Sequence, residues 1–310
     1  MTCRLPPAGL RLVGWCRLVV LMLLALVFVT PAGAATRTLY ERLAYADLAV
    51  HVKVIDGSLR LAECQVLGVL KGSYRGEKLF VGFRGMADNP GYTGPRAAFP
   101  DGSESILLLM PSLDAEGQRH GWDRFRLVGG ATGKIDLPNE GAPATLDAVR
   151  RLAAIQGLTD IHQIWAAQRQ LIHENNPYLI EAGFAQILKF RLGNPEMVPT
   201  LLEYLDSRDD GFRQSALLVQ AQIFRKSQTR GEPLGNEDHV VARLLTVTSE
   251  DPTPGVRVAA VQALHAYGRP DVVAALEQVA REDPSQDVRY EATVSAYRLS
   301  RGAGAAATVP

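Results

Sequence analysis

A repeated pair of helical patterns in the C-terminal half constrains the fold of this chain more than any other feature. A shift of 32 residues superposes three segments of one copy on the next: Asp251-Pro252 on Asp283-Pro284, Val256-Arg257 on Val288-Arg289, and Ala260 on Ala292. The apolar positions of the preceding helix obey the same shift, from Val240, Val241, Leu244 and Val247 to Val272, Val273, Leu276 and Val279. A period of this size indicates stacked helical hairpins, because one hairpin cannot bury its apolar face alone.

Earlier copies of the repeat precede these two. Phe212, Arg213 and Ala216 lie 44 residues before Val256, Arg257 and Ala260. The excess over 32 residues falls in the polar segment 227–237, which we expect to form a protruding loop. A first copy begins at Asn176-Pro177 but has no arginine at the matching position. The sequence therefore predicts about four hairpins over residues 160–302, followed by a disordered tail at 303–310.

An Asp-Pro pair, four further residues, then Arg and a later Ala resemble the HEAT repeat. The resemblance implies an all-α superhelical solenoid. It also implies structural ladder residues between successive repeats, here Arg213, Asp251, Arg257, Asp283 and Arg289. Independently of the resemblance, the Asp before Pro suits a helix N-terminus, where a side-chain oxygen accepts from exposed backbone N–H groups and Pro needs no partner for its nitrogen.

Residues 36–138 carry the alternating pattern of β-strands. Leu48, Val50, Val52 and Val54 alternate with less apolar residues, and Asp56-Gly57 follows as a turn. We expect five or six strands forming a small antiparallel β barrel. The Ala46–Leu48 strand opening and the Val-Leu-Lys-Gly turn at 69–72 resemble the OB-type barrels of netrin-like and metalloproteinase-inhibitor modules. The fold class expected for the whole chain is α+β, a barrel followed by a solenoid, with a linker and capping helix at 139–159.

Residues 1–34 have the three parts of a signal peptide. Arg4, Arg11 and Arg17 precede an uncharged apolar run, and small residues follow up to Ala34. Cleavage after Ala34 or Ala35 would place the mature protein in the periplasm or outside the cell, with no membrane insertion. An uncleaved anchor is the alternative. Cleavage would leave 30 basic and 33 acidic residues, and such a balance argues against nucleic-acid binding. Cys64 would be the only thiol, in an apolar setting that favours a buried, inert group.

No pattern of catalytic or metal-binding residues stands out. None of the six histidines forms a helical zinc motif, and there is no nucleophile elbow or phosphate-binding glycine loop before a helix. We therefore expect no enzyme activity, no metal and no cofactor. The Gly- and Pro-rich stretch 84–104 is a long loop with Tyr92, Arg96 and Phe99, residue types that often anchor a partner.

The function predicted from these features is that of an exported, non-catalytic scaffold that binds another protein through its solenoid surface. Two alternatives remain open. HEAT-like solenoids also occur in lyases that attach bilins to proteins. The barrel resembles protease inhibitors, although those begin with a cysteine that reaches the protease zinc, whereas cleavage here would expose Ala35 or Thr36.

Overall fold

The computed structural model describes residues 37–57, 61–82, 97–113, 121, 124–137, 142–231 and 237–306. The predicted signal segment 1–34, together with Tyr92 and Arg96, lies outside these ranges. The α+β class is confirmed. The last described strand ends at Asp136, and the helices of the C-terminal part begin at Ala142. None of the helices in the described ranges is long and apolar enough to span a bilayer.

A short helix and six strands form the N-terminal part. They are α1 (Leu39–Ala44), β1 (Leu48–Gly57), β2 (Leu61–Lys71), β3 (Lys78–Gly82), β4 (Glu104–Pro111), β5 (Arg124–Leu127) and β6 (Lys134–Asp136). Strands β1 to β5 close on themselves in the order β1-β2-β3-β5-β4, because β4 also pairs with β1, and β6 pairs with β4. The barrel is not wholly antiparallel as predicted, since β3 and β5 are parallel. A closed ring with an odd number of strands cannot alternate direction throughout.

The two faces of β1 contribute to different cores. Val50, Val52 and Val54 point into the barrel, where they are fully buried as the alternating pattern predicts. Ala49 on the opposite face is equally buried, because it packs against helices outside the barrel. Cys64 lies inside the barrel, and this burial raises the pKa of its thiol to about 12.

The C-terminal part consists of α-helices joined by short connections. They are α2 (Ala142–Gln156), α3 (Ile161–Gln170), α4 (Pro177–Phe190), α5 (Val198–Glu203), α6 (Asp210–Arg230), α7 (Glu237–Glu250), α8 (Pro254–Tyr267), α9 (Val273–Glu282) and α10 (Gln286–Ala306). Short 3-10 segments extend some of them: Leu171–His173, Pro195–Met197, Tyr204–Asp206 and Pro270–Val272. Within the described ranges, four pairs of consecutive helices form hairpins: α3/α4, α5/α6, α7/α8 and α9/α10.

Two predicted loops are partly helical. Helix α6 continues to Arg230, so residues 227–230 do not belong to a protruding loop. Gln228 on this extension donates a hydrogen bond to the Tyr267 carbonyl at the end of α8, which ties the extra turn to the next hairpin. At the C-terminus, α10 continues to Ala306 and includes the first residues of the predicted tail.

The hairpins stack in layers with their second helices side by side. Helix α4 packs on α6, α6 on α8, and α8 on α10. One apolar core runs through all four hairpins, from Ile172 to Ala296. This arrangement is the one expected for a repeat array, in which each unit buries its stripe against its neighbours.

The barrel and the helices share a second core. Leu43 of α1, Ile106 of β4, Leu152 of α2 and Leu179 of α4 belong to one buried cluster. Polar contacts link the same elements, since the ammonium of Lys71 donates to the Leu43 carbonyl at 2.6 Å and to Gln156 Oε1 at 3.1 Å. The predicted boundary at 139 therefore marks a change of secondary structure without a break in packing.

Candidate functional site

Bidentate ion pairs join successive hairpins. Arg257 Nε and Nη2 donate to the two carboxylate oxygens of Asp283 at 2.8 and 2.9 Å. Arg213 makes the same contacts with Asp251, at 2.7 and 3.1 Å. All four side chains are at least 90% buried. The ladder implied by the family resemblance thus connects the second hairpin to the third and the third to the fourth.

Each ladder arginine also binds the loop of its own hairpin. Arg257 Nη1 donates to the Asp251 carbonyl at 2.8 Å, and Arg289 Nη1 to the Asp283 carbonyl at 2.6 Å. The carboxylate of Asp283 accepts a further bond from the Ser285 N–H, at 2.8 Å. Burial alone would raise the pKa of Asp283, but the bonds from Arg257 and Ser285 outweigh it and lower that pKa. These polar groups are satisfied within the fold, which suits a structural role.

The ladder is absent at the first boundary. Residue 207, which corresponds to Asp251, is a serine, and Arg213 Nη1 donates to its carbonyl at 2.9 Å. In the first hairpin, Glu181 lies next to the position at which the later hairpins have their ladder arginine. The aspartate and its arginine are therefore missing together. At the other end, Arg289 forms no salt bridge with any described carboxylate, since α10 is the last described helix.

Phe99, predicted to take part in partner binding, has its side chain inside the barrel. Its side chain is 5% exposed and belongs to the barrel core. The ammonium of Lys134 lies 5.5 Å from the centre of its ring. Loop length and residue type carried the prediction, whereas the ring is buried because the segment before β4 packs against β1 at Gly57.

A basic cleft of about 440 Å³ lies between the end of α4 and the C-terminal half of α6. The basic side chains that line it are Arg191, Arg225, Lys226 and Arg230, together with Gln222 and Thr229. No acidic side chain lines the cleft within the described ranges. The sequence pattern alone does not predict this cleft, because the two elements that form its walls are separated by a whole helix in the chain.

The cleft walls are held by hydrogen bonds from α6 to the end of α4. Gln222 Nε2 donates to the Leu188 carbonyl at 2.9 Å, and Lys226 Nζ to the Gly193 carbonyl at 3.3 Å. Arg191, Arg225 and Arg230 form no salt bridge with any carboxylate that the structure describes. These three guanidinium groups can therefore bind solvent or a ligand.

A second surface feature is a pair of exposed tyrosines on the last described helix. Tyr290 is 69% exposed and Tyr297 is 57% exposed. They are seven residues apart on α10, so both lie on one face of the helix. Exposed aromatic side chains are common anchors in protein interfaces.

Histidine, cysteine and carboxylate side chains are the usual metal ligands in proteins. Within the described ranges, no three His, Cys, Asp or Glu side chains are grouped closely enough to hold a metal ion. A cleft of about 380 Å³ beside the 3-10 segment 171–173 is lined by His173, Glu174 and Glu203, but Glu174 already forms a bidentate pair with Arg151.

A comparison with known families bears on the C-terminal part. Residues 228–296 match the family model of HEAT repeats. The match covers the third hairpin and most of the fourth, and it includes the Arg257–Asp283 pair. The C-terminal region is a helical-repeat scaffold. No curated protein matches the chain in sequence.

Proposed function

We propose that this protein is an exported, non-catalytic scaffold that binds another protein through the surface of its helical hairpins. The observation that carries the proposal is the stack of hairpins held by buried Arg–Asp pairs, with the HEAT-repeat match over the third and fourth. Such arrays bury their polar ladder residues and leave one long face of second helices for contact with a partner.

The exposed tyrosines and the basic cleft support binding on that face. Tyr290 and Tyr297 lie on the second helix of the fourth hairpin, and the cleft is formed by the second helices of the first and second hairpins. Large aromatic and arginine side chains contribute strongly to protein interfaces.

Export and the absence of catalysis are proposed from the sequence. The segment 1–34 supports secretion to the periplasm or the medium. For the barrel we propose an OB-type, netrin-like identity, which the closed five-stranded order with one parallel pair supports.

Affinity capture from the envelope fraction of the source cells tests the scaffold proposal. The full chain is used, because the barrel and the helices share a core. We expect specific proteins to be retained, and fewer to be retained by a Tyr290→Gln, Tyr297→Gln variant. Tyr45→Gln is a matched control, since Tyr45 is 58% exposed but precedes the barrel. Retention of no protein by the unaltered chain would contradict the proposal.

A secretion assay tests export separately. The complete chain, expressed in its source cells, should appear in the envelope or the medium without residues 1–34. Deletion of Leu18 to Val29 should leave it in the cytoplasm, because the apolar segment is needed for translocation.

A further inference from the structure

The basic cleft between α4 and α6 has a composition that the scaffold role does not require. Its cations are Arg191, Arg225, Lys226 and Arg230, and no acid lines it within the described ranges. Like charges held together repel one another unless an anion lies between them. Lys226 holds the cleft wall through its bond to the Gly193 carbonyl, but packing does not explain the three arginines beside it.

A further cation lies beyond the cleft, on the fourth hairpin. Burial lowers the pKa of His265 on α8, and the charges of Arg298 and Arg225 lower it further, while Glu291 acts in the opposite direction. Arg225 on α6 and Arg298 on α10 therefore both lie near the same imidazole. The arginines therefore belong to the first, second and fourth hairpins, and cations spread over several hairpins match an extended anionic chain better than a single small ion.

The backbone at Arg191 gives an independent indication. Arg191 follows α4 with φ of +54°, and no other non-glycine residue in the described ranges has a positive φ. The equivalent positions after α6 and α8 are Gly231 and Gly268, with φ of +65° and +74°. A side chain in this conformation costs about 1–2 kcal/mol. The favourable interaction of a cation with a helix C-terminus offsets only about 0.3–1 kcal/mol of this cost. A further role for the guanidinium group would explain why an arginine, and not a glycine, occupies this position.

We propose that the α4–α6 cleft binds a carboxylate-rich segment of the protein partner. This inference rests on the proposed scaffold function and specifies the chemistry of its partner. Guanidinium groups form bidentate hydrogen bonds with carboxylates, and the three unpaired arginines supply such donors. A nucleic-acid backbone fits less well, because the chain has equal numbers of basic and acidic residues and no basic run.

Fluorescence anisotropy tests the inference with the purified protein. The probe is a fluorescein-labelled peptide of alternating Glu and Ser, and the matched probe has Gln in place of Glu. We expect the Glu peptide to bind, its affinity to fall as salt rises, and the Gln peptide to bind at least about tenfold more weakly.

Variants locate the binding to the cleft. Arg225→Glu with Arg230→Glu should weaken binding of the Glu peptide at least about tenfold. Arg225→Lys with Arg230→Lys keeps the charge but loses the bidentate donors, so it should weaken binding by a smaller factor. Arg208→Glu with Arg281→Glu is the matched control, because it changes the charge equally at two exposed positions outside the cleft. A circular-dichroism melt of each variant shows that it is folded.

The outcomes separate this inference from the scaffold proposal. Equal binding by the Arg225→Glu, Arg230→Glu variant, or equal binding of the Gln peptide, would overturn the inference. Unlabelled Glu peptide and inorganic phosphate are also compared as competitors of the labelled Glu peptide. Displacement by phosphate at the lower concentration would indicate a phosphate ligand in place of a carboxylate segment, and would also overturn the inference. If the charge-reversed variant still captures the same proteins, the scaffold proposal stands and the cleft inference fails.

Discussion

Arg257 and Asp283 form a bidentate ion pair between the third and fourth hairpins, with 7% and 5% of their side chains exposed. The two residues are 26 positions apart in the chain. The pair fixes the position of each loop relative to the next, because a planar guanidinium meets both carboxylate oxygens in one orientation only.

Removal of the arginine should destabilise the stack strongly. Arg257→Met leaves the buried carboxylate of Asp283 without its counter-ion, so we expect the free energy of unfolding to fall by about 3–5 kcal/mol. Urea unfolding followed by circular dichroism measures this loss. Arg289→Met is the matched control, because the hydrogen bonds of Arg289 among the described residues go to backbone carbonyls, and it should cost about 1 kcal/mol. Equal losses in both variants would contradict the assigned role of the ion pair.

Acid should weaken the stack through Asp283. Its pKa is lower in the folded than in the unfolded protein, so the folded state binds fewer protons. The contribution to stability is complete above the ordinary carboxyl pKa of about 3.9 and is lost as the pH falls through the lowered value. Asp283→Asn should thus reduce the loss of stability between neutral and acidic pH. Exposed Asp287→Asn is the control, and an unchanged pH dependence in Asp283→Asn would refute the prediction.

The thiol of Cys64 should be unreactive in the folded protein. Its burial and its pKa of about 12 leave very little thiolate at pH 8. We expect alkylation by iodoacetamide to be at least about a hundredfold slower than in concentrated urea, where the thiol has its ordinary pKa of about 8.5. The measurement uses the chain without residues 1–34, because Cys3 and Cys16 would otherwise react as well.

A methyl group at Gly57 should disturb the barrel. A Cβ atom there would lie 1.7 Å from the carbonyl oxygen of Phe99, so either β1 or the segment before β4 must move. Gly57→Ala should lower the free energy of unfolding by about 1–3 kcal/mol. Gly68→Ala is a close control, since a Cβ at Gly68 meets no atom within 4 Å. Similar stabilities of the two variants in urea would show that the barrel tolerates this displacement.

Replacement of Arg191 by glycine should separate stability from binding. Arg191→Gly removes a side chain from a left-handed backbone conformation, so we expect no loss of thermal stability. The same change removes one cation from the cleft, and binding of the Glu peptide should weaken about threefold or more. A lower melting temperature together with unchanged peptide affinity would show that the arginine serves only the fold.

The sequence alone predicts much of the helical half. Apolar residues recurring with the repeat indicate which face of each helix is buried, and a hairpin that cannot bury this face alone must stack on another. The same reasoning predicts the alternation of buried residues along β1, from Val50 to Val54. The apolar face of a helix and the alternation along a strand are both local patterns, because each is set by residues a few positions apart in the chain.

Only the tertiary structure decides which elements meet. The parallel pairing of β3 with β5, the core shared by Leu43 and Leu179, and the burial of Phe99 all depend on segments distant in sequence. The basic cleft has the same origin, since Arg191 and Arg225 come together only when α6 packs on α4. A periodic pattern of apolar residues predicts that one face of a helix or strand is buried. The packing of the whole chain determines which element buries that face and which charged side chains then lie close together.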